Sequence, residues 1–127
     1  MQENQLFEYA IIRVVPKVER EEFINVGVVL FCAGQKFLKM KYNLDEERLI
    51  AIDPTLDIEE IKSYLNAFEQ ICLGKPEGGS IGALPIAERF RWLTAIRSTM
   101  VQTSKVHPGF CGDPEKAMNK LFEQLVL

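Results

Sequence analysis

Histidine and cysteine are scarce in this chain of 127 residues, which holds one of the first and three of the second. Cys32, Cys72 and Cys111 are far apart, odd in number and form no C-x-x-C pair. A tetrahedral zinc site would need nearly all of them and His107 brought to one point, so the pattern argues against a metal centre. Cys32 and Cys72 fall on apolar faces and are expected to pack as small hydrophobes. Cys111 stands between Gly109 and Gly112, where a loop is expected and no base is placed to activate the thiol. Long apolar runs are missing as well, and none approaches the roughly 20 residues a membrane helix needs. The opening Met1-Gln2-Glu3-Asn4-Gln5 lacks the cationic character of a targeting segment. These absences lead to an expected cytoplasmic location and no membrane partner. Excess positive charge is absent too: the formal charge of −3 gives no general affinity for polyanions. Aromatic residues do not interleave with basic ones as on single-strand platforms, so no nucleic-acid partner is expected.

What is present suffices for a core. At 47% apolar and 26% charged residues, the chain fits one domain spanning 1–127. Phe23 to Cys32 is almost wholly apolar and rich in β-branched residues. Ile24, Val26, Val28, Leu30 and Cys32 would share one face of a strand; Phe23, Asn25, Gly27, Val29 and Phe31 would share the other. A strand apolar on both faces belongs in the interior of a sheet. Asn25 and Gly27 interrupt it: the amide needs partners, and the glycine would admit Trp92 or a helix backbone close to the sheet.

Phe7 to Val15 reads as a preceding strand, ended by Pro16. Within it Arg13 is the exception, either pairing with Glu21, Glu22 or a helix acid, lying at an exposed strand end, or serving as an anion hook. Ala33-Gly34-Gln35 reads as a hairpin turn, with Gly34 able to supply a positive φ. Lys36 to Tyr42 returns, with Leu38, Met40 and Tyr42 inward and Phe37, Lys39 and Lys41 on a wet face. The period then changes. Asp45 caps a short helix ending near Ile52. Asp57 caps a longer one over 58–73, with Glu60 as capping-box partner and Gly74 as its left-handed terminator. Gly74 to Gly82 reads as a loop; it follows a helix and contains Pro76, so it is a poor phosphate loop. Pro85 opens a helix to about Ala95, Ser98 to Thr103 reads as a fourth strand, and Lys105 to Gly112 as a loop. Asp113-Pro114 then caps a C-terminal helix.

Charge divides the chain. Asp45 to Glu60 carries seven acids against one arginine, read as caps and a solvated helix face, or else as an acidic docking surface. Between Pro85 and Phe110 the balance reverses, with Arg89, Arg91, Arg97 and Lys105 against Glu88. Arginine's planar fork suits phosphate or carboxylate, and serine, glutamine and histidine can complete such a site. The candidate anion-binding set is therefore Arg89, Arg91, Arg97, Ser98, Gln102 and His107. The competing reading pairs the arginines with the acidic segment and leaves His107 to tie down its loop. A Ser98–His107 or Ser104–His107 nucleophile pair lacks both the sharp nucleophile turn and an acidic orienter, so no catalytic set is assigned.

Arg20 to Leu30, with the motif residues Arg20, Glu21, Asn25 and Gly27, together with Glu88 to Thr99 and the run Val106-His107-Pro108-Gly109-Phe110 before Asp113-Pro114, resembles a bacterial domain-of-unknown-function family, number 3037. The likeness runs from about Tyr9 to Val126; Ile96 departs from it, standing where proline is expected. The resemblance implies no activity, no cofactor and no catalytic residue. It implies an accessory or partner-binding role, associated with a kinase-like partner of the toxin–antitoxin type.

The expectation is an α+β fold: an antiparallel sheet of three to four strands centred on 23–32, with about three helices packed mainly on one face. The expected function is a non-catalytic accessory protein acting through a protein partner or a second copy of itself. The alternative is a small-anion or nucleotide-handling enzyme using Arg97, Ser98, Gln102 and His107.

Overall fold

A computed structural model describes residues 4–97 and 99–127, Val18 by its backbone only. The interior strand forms as its composition demands: β2 (Ile24–Cys32) is hydrogen-bonded to β1 (Gln5–Val14) on one flank and β3 (Phe37–Tyr42) on the other, both antiparallel. Two short strands share the far edge of β1. β4 (Val101–Thr103) pairs with its C-terminal end, and β5 (His107–Cys111) with its N-terminal end. The sheet thus has five strands rather than three or four. The additional strand is the segment expected to be a loop. His107, Pro108 and Gly109 break any apolar alternation, yet Gly109 pairs with Phe7, whose ring lies over the glycine where a Cβ would stand. The neighbouring aromatic supplies the packing that the strand's own residues lack.

The two faces of β2 exchange parity partway along. Ile12 faces Gly27 but Arg13 faces Asn25, which leaves Val26 as a bulge. Ile24 and Val26 therefore share a core with Val29 and Phe31, not with Val28, Leu30 and Cys32 as strict alternation predicts. Gly27 sits at the bulge because β3 comes too near for a side chain. A Cβ there would lie 2.6 Å from the Lys41 carbonyl oxygen and 2.7 Å from the Tyr42 Cβ. The close neighbour is thus a strand, not Trp92 or a helix backbone.

The helices divide between the faces. On the first lie α1 (Glu46–Ile52), α2 (Ile58–Leu73) and α4 (Ile86–Leu93), with the turn α3 (Gly79–Gly82) inside the expected glycine loop. Leu49, Ile61, Leu65, Phe68, Phe90 and Leu93 bury against Ala10, Ile12, Val14 and Val29, and Phe90 stacks on Phe31 at 5.3 Å. The start signals work as their chemistry requires: the Asp45 carboxylate accepts from the Arg48 amide and the Asp57 carboxylate from the Glu60 amide, at 3.2 and 3.1 Å. Gly74, at φ 69°, ends α2. At the β2–β3 turn the positive φ falls on Lys36, at 50°, and not on Gly34.

On the opposite face lies α5 (Pro114–Leu125), capped by Asp113. Met118 buries with Phe7, Leu30 and Cys32, and Phe122 and Val126 with Val28. The lysines of β3 stay exposed, as expected, at the margin of α5: Lys39 bridges Glu115 at 3.2 Å, and Lys41 donates to Asn119 while lying 4.9 Å from the Phe122 ring centroid. Lysine stems can cover apolar surface while their ammonium groups stay in water, so an alternating strand with lysines is compatible with a covered face. The helices are therefore on both faces, not mainly on one.

Candidate functional site

Two arginines of the basic half, Arg89 and Arg97, are held by backbone carbonyls at or near the ends of α4. Arg97 donates to the carbonyls of Leu93 and Trp92, at 3.0 and 2.6 Å. Its guanidinium lies 4.6 Å from the Trp92 ring centroid and 5.1 Å from that of Phe68. Helix-terminal carbonyls lack intrahelical donors and carry partial negative charge, so a cation there satisfies both needs. Burial pulls the Arg97 pKa down, without an acid nearby to oppose it. Arg89 donates to the Leu84 carbonyl at 2.9 Å, and its guanidinium lies against Gly74. Arg91 is exposed on α4.

Among the described residues, no ion pair joins these arginines to the acids of 45–60, as the competing reading required. Glu46 and Glu59 instead reach Lys62, Asp45 and Asp57 cap helices, and Asp53 accepts from Thr55. Apart from Glu46, which reaches Lys62 on α2, these acids find partners within about one turn of the chain. Ser98 lies outside the described residues. The Gln102 amide donates to the Thr99 carbonyl at 2.8 Å, and the His107 ring sits 5.4 Å from Tyr9 on β5. No described groove is lined by two members of the anion-binding set.

Arg13 is placed differently. Strand pairing sets it between Asn25 and Gln102, and its guanidinium lies 4.1 Å from the Phe23 ring centroid. Glu22 pairs with Arg20 instead, both exposed, a contact of small energetic consequence. Glu21, at φ 57°, lines a shallow groove with Arg13, Phe23 and Gln102. Among the described residues Arg13 Nε is buried without a hydrogen-bond partner. Arg13 also lines a second groove of about 710 Å³, where β4 gives way to β5. Ser104 shapes that break: its hydroxyl accepts from the Ile11 amide at 2.8 Å, substituting for a ladder carbonyl, and Lys105 and Val106 project beyond it. Lys105 and His107 line the groove with Thr103 and Ser104, and among the described residues no carboxylate does. Sequence reasoning singled out Arg13 and His107 but not Thr103. A three-residue strand gives too few positions for alternation to reveal which side chain points where.

The remaining structural motif residue is Asn25. Its Nδ2 donates to the Leu125 carbonyl at 3.1 Å and ties the end of α5 to the sheet, while its Oδ1 is buried without a partner among the described residues. The thiols are inert by environment: burial pushes Cys72 up to about 12, and Cys111 is raised by burial and by the adjacent Cys32 and Asp113. At the β5 end, Leu6 and Phe110 face each other across the ladder with 53% and 71% of their surface exposed.

These features define an antiparallel α+β protein whose sheet carries helices on both faces and leaves Leu6 and Phe110 exposed at the outer edge of β1 and β5. The chain belongs to the family described as Protein of unknown function (DUF3037), which matches residues 9–126. No curated protein and no solved structure matches it.

Proposed function

We propose that this chain is a non-catalytic accessory protein that holds a protein partner at the outer edge of its sheet. One observation carries the reading: Leu6 and Phe110 are directly opposed on β1 and β5, and both are mostly exposed. Single exposed apolar residues are ordinary, but a cross-strand pair of large ones presents a contiguous apolar surface. The backbone beside it is also available. Tyr9, Phe7 and Gln5 turn their hydrogen bonds toward His107, Gly109 and Cys111, so Phe110 aims its own N–H and C=O outward. Pro108 has no N–H to offer, which confines pairing at this edge to the Phe110 end.

The partner expected from the family resemblance is a kinase-like protein of the toxin–antitoxin type, best sought among the products of adjacent genes. Co-expression of this chain with those products, followed by affinity capture, is the test. Phe110→Asp should abolish capture, whereas Lys62→Glu, on the distant α2 surface, should retain it. Capture that survives Phe110→Asp would move the interface elsewhere. A self-associated chain without a second protein would make the partner another copy. The enzyme reading has weaker support, because Arg97 and Gln102 spend their donors on backbone carbonyls.

A further inference from the structure

We infer that the groove at the break between β4 and β5 binds the phosphate group of a small organic phosphate. The reading is independent of the docking surface at Leu6 and Phe110. Three basic side chains, Arg13, Lys105 and His107, line the groove from two strands and the link between β4 and β5. Three hydroxyl side chains, Thr94, Thr103 and Ser104, line it as well. Among the described residues no aspartate or glutamate lines it.

The second line of argument is hydrogen bonding. Buried polar groups are nearly always paired, and each exception needs an explanation. Two of the four buried unpartnered side-chain atoms among the described residues, Arg13 Nε and Thr103 Oγ1, belong to residues of this one groove. One is a charged donor and the other a hydroxyl that can donate. A tetrahedral phosphate, with several acceptor oxygens and at least one negative charge, suits the charged donor; Thr103 pairs with Ile12 and so projects from the opposite face to Arg13. Arg13 is also restrained: Phe23 stacks on its guanidinium, so little side-chain freedom remains to be lost on binding. Inorganic phosphate alone would leave much of the 710 Å³ empty. Ile96, fully exposed, and Val106 supply an apolar wall beside the basic end. That division favours a ligand with a phosphate head and a ring or other apolar body, such as a nucleoside monophosphate.

The experiment follows the amide resonances of residues 103–107 while AMP, adenosine or inorganic phosphate is added at constant ionic strength. AMP should perturb them with a dissociation constant tighter than about 1 mM. Adenosine should bind much more weakly, since it lacks the charged head. Arg13→Gln should weaken AMP about tenfold or more, the effect of losing a charge-assisted hydrogen bond. Because Arg13 also packs on Phe23, the exposed Lys105→Glu serves as the second variant and should weaken AMP without unfolding the chain. Absence of any AMP response at these amides would overturn the inference. So would equal binding of adenosine, or unchanged affinity in Lys105→Glu.

Discussion

Arg97 shows most clearly how a residue that suits a ligand can be taken up by structure. Its guanidinium spans two terminal carbonyls of α4 and two aromatic faces, so removing it takes a charged donor from the Leu93 carbonyl and leaves Trp92 with only the long bond from the Ala95 amide. Arg97→Ala should therefore destabilise the fold by about 2 kcal/mol, from charged hydrogen bonds and ring contacts combined. Arg97→Lys should recover only part of this, because an ammonium cannot span both carbonyls and stack. Urea denaturation of the two variants decides the matter. Equal stability of all three proteins would return Arg97 to the pool of free ligand-binding groups. Asp53 gives a prediction in pH. Its carboxyl sits below its ordinary value of 3.8, first because the Thr55 hydroxyl donates to it, then the Thr55 amide, with Lys17 adding to the effect and burial opposing it. A depressed folded-state value means that the stabilisation is present above the ordinary value and is lost as pH falls through the folded one. Asp53→Asn should flatten the acid limb of the stability profile; an unchanged limb would count against the Thr55 contacts. Thiol chemistry offers a third check: native protein should react slowly at Cys111 alone, with Cys32 and Cys72 labelled only after denaturation.

The elements were legible in proportion to how much of their pattern was local. The helix over 58–73 was readable to the residue, because a cap, a 3.6 period and a terminating glycine are all contained within the segment. β2 was readable as an interior strand for the same reason. Its bulge was not, because Val26 looks like any other apolar residue, and only the approach of β3 to Gly27 requires the kink. Likewise β5 was hidden, since its stability comes from Phe7 on another strand. The candidate anion set failed to converge because residues such as Arg97 and Gln102 find carbonyls within a few positions, a competition that composition cannot display. The bulge has a testable consequence. Gly27→Ala should cost on the order of 1–3 kcal/mol, since β3 must move to admit the methyl group. A neutral effect in denaturation would mean that the strands are farther apart than described. Asn25→Ala should cost about 1–2 kcal/mol by freeing the Leu125 carbonyl, and should loosen exchange protection of the last turn of α5 before that of β2.

At the scale of the molecule, what matters is the unequal covering of one sheet. β2 is shielded above by α2 and α4 and below by α5, and it carries the largest share of fully buried side chains. β5 lies at the outer edge, with Leu6 and Phe110 in water. Arg97 is taken up by the end of α4, and among the exposed large apolar side chains of the described residues Leu6 and Phe110 are the two that face each other across paired strands. The direct measurement is hydrogen exchange on the captured complex, compared with the free chain. The account predicts new protection over residues 5–9 and 106–111, with little change over 86–97. Protection concentrated on α4 and its terminal arginines, with the β5 edge exchanging as before, would contradict it.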